Sequence, residues 1–161
     1  MQGDKDIIAL LNEQLTSELT AINQYFLHAK MQENWGYTKL AEYTRHESFD
    51  EMRHAERLTD RILFLDGLPN YQKLNTLHIG QTVKEQLQAD LALEYSVVKR
   101  LKPGIALMRE RGDITSANIF EDILKDEEMH IDYLETELGL YESLGEQLYL
   151  QRYAEPPSSS S

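Results

Sequence analysis

Residues 46–70 read HESFDEMRHAERLTDRILFLDGLPN, and residues 126–138 read DEEMHIDYLETEL. Each stretch contains Glu-x-x-His: Glu51-Met52-Arg53-His54 and Glu127-Glu128-Met129-His130. Residues three apart on a helix share a face, so the carboxylate and the imidazole of each motif project together. In the first stretch the same face continues through Leu58, Ile62 and Leu65, and Asp66-Gly67-Leu68-Pro69 ends it. In the second it runs from Ile123 to Leu134. Both motifs therefore lie in the apolar seams of long amphipathic helices, where a solvated polar face is not expected.

The rest of the chain fits around these two helices. Apolar positions step by three and four through Ile8, Leu11, Leu15, Ile22, Tyr25 and Ala29, predicting a first helix that stops near Asn34-Trp35-Gly36. The second runs from about Thr38 to Leu65. A third begins near Gln81 or Thr82, with Val83, Leu87, Val97, Leu101 and Met108 inward, and Pro103 is expected to bend it without ending it. Asp113 reads as the N-cap of a fourth helix, interrupted at Gly145. A short fifth helix is expected over about Glu146 to Tyr153. Residues 1–153 thus form one all-α four-helix bundle with a short fifth helix, and 154–161 are expected as a disordered tail.

Short turns join helices one and two, and three and four, so each pair is an antiparallel hairpin. Gly67 to Gly80 link the hairpins. Extended, such a linker reaches about 46 Å. A helix of this length spans about 40 Å. One long crossover along the bundle is therefore feasible.

Within this frame the polar residues repeat. Glu18 falls where the first helix's pattern calls for an apolar residue, and Glu94 does the same between Leu87 and Val97. Glu18 to Glu51 is 33 positions, as is Glu94 to Glu127. A shift of 76 carries Glu18, Glu51 and His54 onto Glu94, Glu127 and His130, and carries Asp50 onto Asp126. The hairpins read as halves of a pseudo-twofold with all six side chains at one depth. Buried carboxylates are costly unless protonated, paired or bound to metal. One Glu from each of two helices plus Glu-x-x-His from each of the other two is the di-metal pattern of ferritin-like bundles. Four carboxylates balance two divalent cations. The sulfur-free donor set suits iron or manganese and also accommodates zinc. Glu51 and Glu127 are placed to bridge, with Glu18 and Glu94 terminal and one histidine on each metal. Tyr25 reads equally as a hydrogen-bonding or redox-active phenol and as a half-buried core residue.

Composition narrows the classes further. The chain has 161 residues, no cysteine, and 16 basic against 28 acidic side chains, a net charge of −12. Disulfide scaffolds, thiolate zinc sites, iron–sulfur clusters and thiol nucleophiles are excluded. A nucleic-acid grip is not expected, since that needs clustered Lys and Arg. The longest apolar run, Ile62-Leu63-Phe64-Leu65, is far too short for a membrane span. The N-terminal residues do not read as a signal peptide, so a cytoplasmic location is expected.

These strings, with LLNEQLTSELTAINQYFLHAKM at 10–31 and DLALEY at 90–95, resemble the bacterioferritins over nearly the whole chain. The resemblance implies a twenty-four-subunit hollow cage that oxidises ferrous iron with dioxygen or peroxide and stores the ferric mineral. It implies b-type haem between twofold-related subunits, with Met52 of each as axial ligand and Ile22, Asn23, Phe26 and Phe49 around it. It also implies a ferredoxin-like reductant for that haem. Arg45 departs from the family, in which an aromatic residue is common at this position. His46 and Asp50 resemble an inner-surface iron site of some members. Two other readings stay open: a cage subunit with a mainly structural di-metal site, and a di-iron or di-manganese peroxide scavenger without storage.

Overall fold

A computed structural model describes residues 1–154; the expected tail, from 155 onward, lies outside the described residues. Four long helices carry the fold: α1 (Lys5–Asn34), α2 (Thr38–Phe64), α3 (Val83–Glu110) and α4 (Ile114–Leu144). A short α5 (Glu146–Gln151) follows. α1 packs along α2 and α3 along α4, and α1–α3 and α2–α4 contacts close the bundle. This is the ferritin-like four-helix bundle that the sequence predicts. Residues 65–82 form the single long crossover.

Local chemistry sets the boundaries. α1 begins three residues before the first apolar step because the Asp4 carboxylate accepts the amides of Asp6 and Ile7. Thr82 caps α3 by accepting the Glu85 amide, and α3 continues through Pro103. The two hairpin turns are themselves 76 positions apart: Gly36 and Gly112 both adopt left-handed backbone, at φ +94° and +81°. That conformation strains any residue with a Cβ. α5 is shorter than expected. After Gln151 the amides of Arg152 and Tyr153 bond back to Tyr149 and Leu150, a tight turn rather than a further helical turn.

The crossover is pinned from the side. The Gly80 amide donates to His28 Nε2 at 3.0 Å, and a Cβ at Gly80 would lie 2.3 Å from the Gln86 amide nitrogen. Only glycine lets the linker approach the start of α3 so closely. His28 Nδ1 faces Asp90 Oδ1 at 2.9 Å, Gln24 donates to the same oxygen, and Gln24 Oε1 accepts the His78 amide. His28 is thus a buried structural residue, and His78 contributes its backbone to the same network.

The apolar interior is divided. One cluster gathers Leu11, Leu15, Ala55, Leu58, Val97, Leu101, Phe120 and Ile123. The other gathers Leu40, Val83, Leu87, Leu134 and Tyr149. Every long helix passes from one cluster towards the other through a buried carboxylate: Glu18, Glu51, Glu94 or Glu127. The bundle therefore has a polar belt at mid-height between two hydrophobic plugs.

Asp113 joins a cap to a cross-hairpin tie. Its carboxylate accepts the Ser116 amide and hydroxyl at 3.0 and 2.6 Å, and Arg61 Nη2 reaches it at 2.7 Å. Burial raises its pKa, but these donors outweigh that and hold it below the usual carboxylate range. Asp113→Ala is expected to destabilise the protein by about 1–2 kcal/mol. Urea denaturation at neutral pH checks this, and an unchanged midpoint would refute it.

Candidate metal centre

The belt brings all six predicted donors together. Glu18, Glu51, Glu94, Glu127, His54 and His130 are each no more than 6% exposed. They form two groups, each with ligand atoms within 4.8 Å of one another: Glu18, Glu51, His54 and Glu127, and Glu51, Glu94, Glu127 and His130. Glu51 and Glu127 belong to both groups, and each group has one further carboxylate and one imidazole. His54 Nδ1 lies 3.4 Å from Glu18 Oε2, 3.4 Å from Glu51 Oε2 and 3.3 Å from Glu127 Oε1. His130 Nδ1 lies 3.3 Å from Glu51 Oε1, 3.6 Å from Glu127 Oε2 and 3.7 Å from Glu94 Oε1. Both rings turn Nδ1 to the carboxylates and Nε2 outwards.

Several of these atoms lack a hydrogen-bond partner. Glu18 Oε2, Glu51 Oε1, Glu94 Oε2, Glu127 Oε1 and His130 Nδ1 are buried without one. All but Glu94 Oε2 take part in carboxylate–imidazole contacts of 3.3–3.4 Å, but without hydrogen-bond alignment. A bare polar core would leave such atoms unsatisfied at considerable cost, whereas two divalent cations would satisfy them all. The donor set therefore fits two metal ions.

Protons hold the metal-free cluster together. Burial drives the Glu51 carboxyl well above its ordinary pKa, reinforced by the charges on Glu127 and Glu18. Burial works against the His54 imidazolium, yet Glu127, Glu18 and Glu51 raise its pKa far above the usual histidine range. His130 likewise overcomes burial through Glu127 and Glu51 and is pushed up to about 11. Cations entering this site displace these protons.

Three further residues support these donors: Gln14 and Glu47, which had no assigned role in the sequence reading, and Tyr25, whose hydrogen-bonding alternative the structure bears out in a fully buried position. Gln14, one turn before Glu18, donates to Glu18 Oε1 at 2.7 Å. Tyr25 donates its hydroxyl to Glu94 Oε1. Burial, with acidic neighbours led by Asp90, keeps that phenol protonated. Glu47, 4% exposed, places Oε2 3.9 Å from His130 Nδ1. Its signal was in the sequence: Glu47, Glu51 and His54 step by four and three along one face of α2.

A surface cavity of about 620 Å³ opens onto the centre, lined by Tyr43, His46, Glu47, Asp50, Asp126 and His130 among others. His46 and Asp50 sit in its wall, 3.8 Å apart, with His46 largely exposed. Neither belongs to the two central donor groups. Met52 lies on another side of α2. It is 51% exposed, while the adjacent Glu51 is buried. Phe26 and Phe49 are exposed, and the Arg45 guanidinium lies 5.5 Å from each ring centroid. No described helix is long and apolar enough to cross a membrane.

Comparison with known proteins agrees with this architecture. The ferritin-like domain model matches residues 8–144. The bacterioferritin of Mycobacterium leprae is 68% identical, covering 98% of this chain and 100% of the relative. Bacterioferritin BfrA of Mycobacterium tuberculosis is 67% identical over the same shares. A solved mycobacterial bacterioferritin superposes with a TM-score of 0.97 over the full length of both chains at 66% identity. Identity at this level, sustained from end to end across a shared fold, places the chain in the bacterioferritin family.

Proposed function

We propose that this protein stores iron, oxidising ferrous ions at the mid-bundle centre and holding the ferric product inside a cage built from twenty-four copies of the chain. The observation that carries this reading is the pair of donor groups sharing Glu51 and Glu127. Glu18 and His54 complete one ferrous site, and Glu94 and His130 the other. Two ferrous ions together release two electrons, which reduce dioxygen to hydrogen peroxide, or hydrogen peroxide to water, with two protons consumed in either case. The hard carboxylate oxygens stabilise the ferric state and so favour this direction. The outward-opening cavity gives the product a way out past His46 and Asp50, which serve as an acidic stepping site towards the stored mineral. The net charge of −12 attracts the cationic substrate.

A b-type haem fits the Met52 face. Met52 and Phe49, three positions apart on α2, share an exposed face, Phe26 is exposed on α1, and a second copy supplying its own Met52 would give the group a second thioether. Arg45 stacks against both rings and would form part of the pocket wall. When bound, the haem supplies electron transfer, with two neutral sulfur ligands favouring the ferrous form. A ferredoxin-like protein would deliver those electrons in the cytoplasm, and their passage to the mineral would release iron.

Aerobic ferrous loading of the purified protein tests the reading. The expected result is rapid oxidation of two ferrous ions per subunit, continued uptake beyond that, a Soret band, and the native mass of a twenty-four-subunit particle. Rapid oxidation that stops at two ions per chain, on a small particle, would favour a peroxide scavenger without storage. Met52→Leu is expected to remove the haem spectrum while leaving ferrous oxidation at the wild-type rate, because Met52 and Glu51 leave the helix on different faces. A Soret band surviving that substitution would assign the axial ligand to another residue.

A further inference from the structure

We propose that Asp126 is a positioning residue that makes the two metal positions unequal, fixing His54 so that the Glu18 side binds metal more firmly than the Glu94 side. The inference rests on the two-metal reading above. Asp50 and Asp126 each stand one residue before a Glu-x-x-His motif. On its own helix each lies four residues from that motif's histidine, so local spacing alone would pair Asp126 with His130. The fold crosses the pairs. Asp126 Oδ2, on α4, lies 2.8 Å from His54 Nε2 on α2, and Asp50 Oδ2, on α2, faces His130 Nε2 on α4 at 3.5 Å.

The two crossings differ in strength. Among the described residues, Asp126 has no basic partner other than His54 within ion-pair distance. It is free to accept the Nε2–H fully. Asp50 is divided: its other oxygen pairs with Arg53 and lies 3.8 Å from His46. An outer carboxylate that accepts Nε2–H fixes the tautomer and rotation of the ring and makes Nδ1 a better ligand. His54 is therefore held in its ligating pose before metal arrives. His130 is held by a contact beyond ordinary hydrogen-bond length, so although both rings border the surface cavity, only His54 has a firm outer partner there.

Titration of the metal-free wild-type assembly with Co(II), which is stable in air and absorbs visibly when coordinated, separates the two positions. Two Co(II) per subunit are expected in two resolved steps. Asp126→Asn is expected to weaken the first step by about 10–100-fold, to alter its absorption band, and to leave the second step in place. Arg53→Gln, which frees Asp50 for His130, is expected to tighten the second step. Asp122→Asn, one turn before Asp126 and paired with Arg57, is expected to change neither step. Two indistinguishable steps in the wild type, a first step unmoved by Asp126→Asn, or a second step unmoved by Arg53→Gln would overturn the inference while leaving the two-metal reading standing. Wild-type protein that binds no Co(II) would overturn both.

Discussion

Rapid ferrous oxidation is expected to fall by more than about 100-fold in Glu51→Ala and in Glu127→Ala, with the assembly intact. Removing an outer partner of a metal ligand typically costs 10–100-fold in affinity or activity, so loss of a direct donor exceeds that range. These two carboxylates belong to both donor groups, so each substitution weakens both metal positions at once. Glu94→Ala and His130→Ala remove a donor from one position only. They also lose the fast phase, because the reaction draws one electron from each of two ions held together. Folding survives, because the hydrophobic clusters on either side of the belt do not include these residues. Metal-free Glu51→Ala is expected to be at least as stable as the wild type, since it loses a carboxyl whose ionisation burial and the charges on Glu127 and Glu18 already oppose. Stopped-flow absorbance of ferric growth, with native mass as the control, checks both parts. Wild-type fast kinetics in Glu51→Ala would place oxidation elsewhere on the protein.

Metal-free Glu47→Gln is expected to match the wild type in stability near pH 4.5 and to become progressively more stable towards pH 8. Burial raises the Glu47 pKa to about 8, with Asp90 and Glu127 adding to the shift and His130 opposing it. The unfolded chain releases this proton near its ordinary value of 4.5. Between these values the folded protein holds a proton that the unfolded chain has lost, so wild-type stability falls as pH rises. The slope reaches about 1.4 kcal/mol per pH unit for one retained proton. Glutamine has the shape of the protonated acid and no proton to release, so the variant lacks this slope. His130 stays charged across the window, because its own pKa is held up to about 11. Thermal or urea unfolding at several pH values, in the presence of a chelator, reads the difference. Parallel pH profiles for the two proteins would show that Glu47 ionises in the folded state.

The two experiments probe one property of the bundle from opposite directions. The belt is unfavourable as a bare core because it concentrates acids between two apolar plugs. Protons relieve it in the metal-free state, and cations would relieve it in the proposed iron-bound state. Capacity for metal is thus bought with stability that a wholly apolar core would have kept.

Much of this was legible in the chain itself. Helix spacing is a local property: three or four residues return to the same face, so Glu51 with His54 and Glu127 with His130 are adjacent whatever surrounds them. The repeat of 76 positions carries the ligands and also the turn glycines Gly36 and Gly112, so it fixed the depth at which the four helices present their donors. The interrupted apolar seams at Glu18 and Glu94 marked the remaining two. The boundary of α5 was less legible, because the chain closes there in a tight turn that apolar periodicity does not register. The sequence by itself determined the bundle, the hairpin pairing and the six donors. Tertiary structure alone decided which outer residue serves which ligand. Asp126 reaches across to His54 rather than along its own helix to His130, Tyr25 meets Glu94 rather than Glu18, and Glu47 comes up against His130 from the neighbouring helix. Those pairings depend on how each helix is rotated about its axis and slid along its neighbour, and packing across the whole bundle sets both quantities.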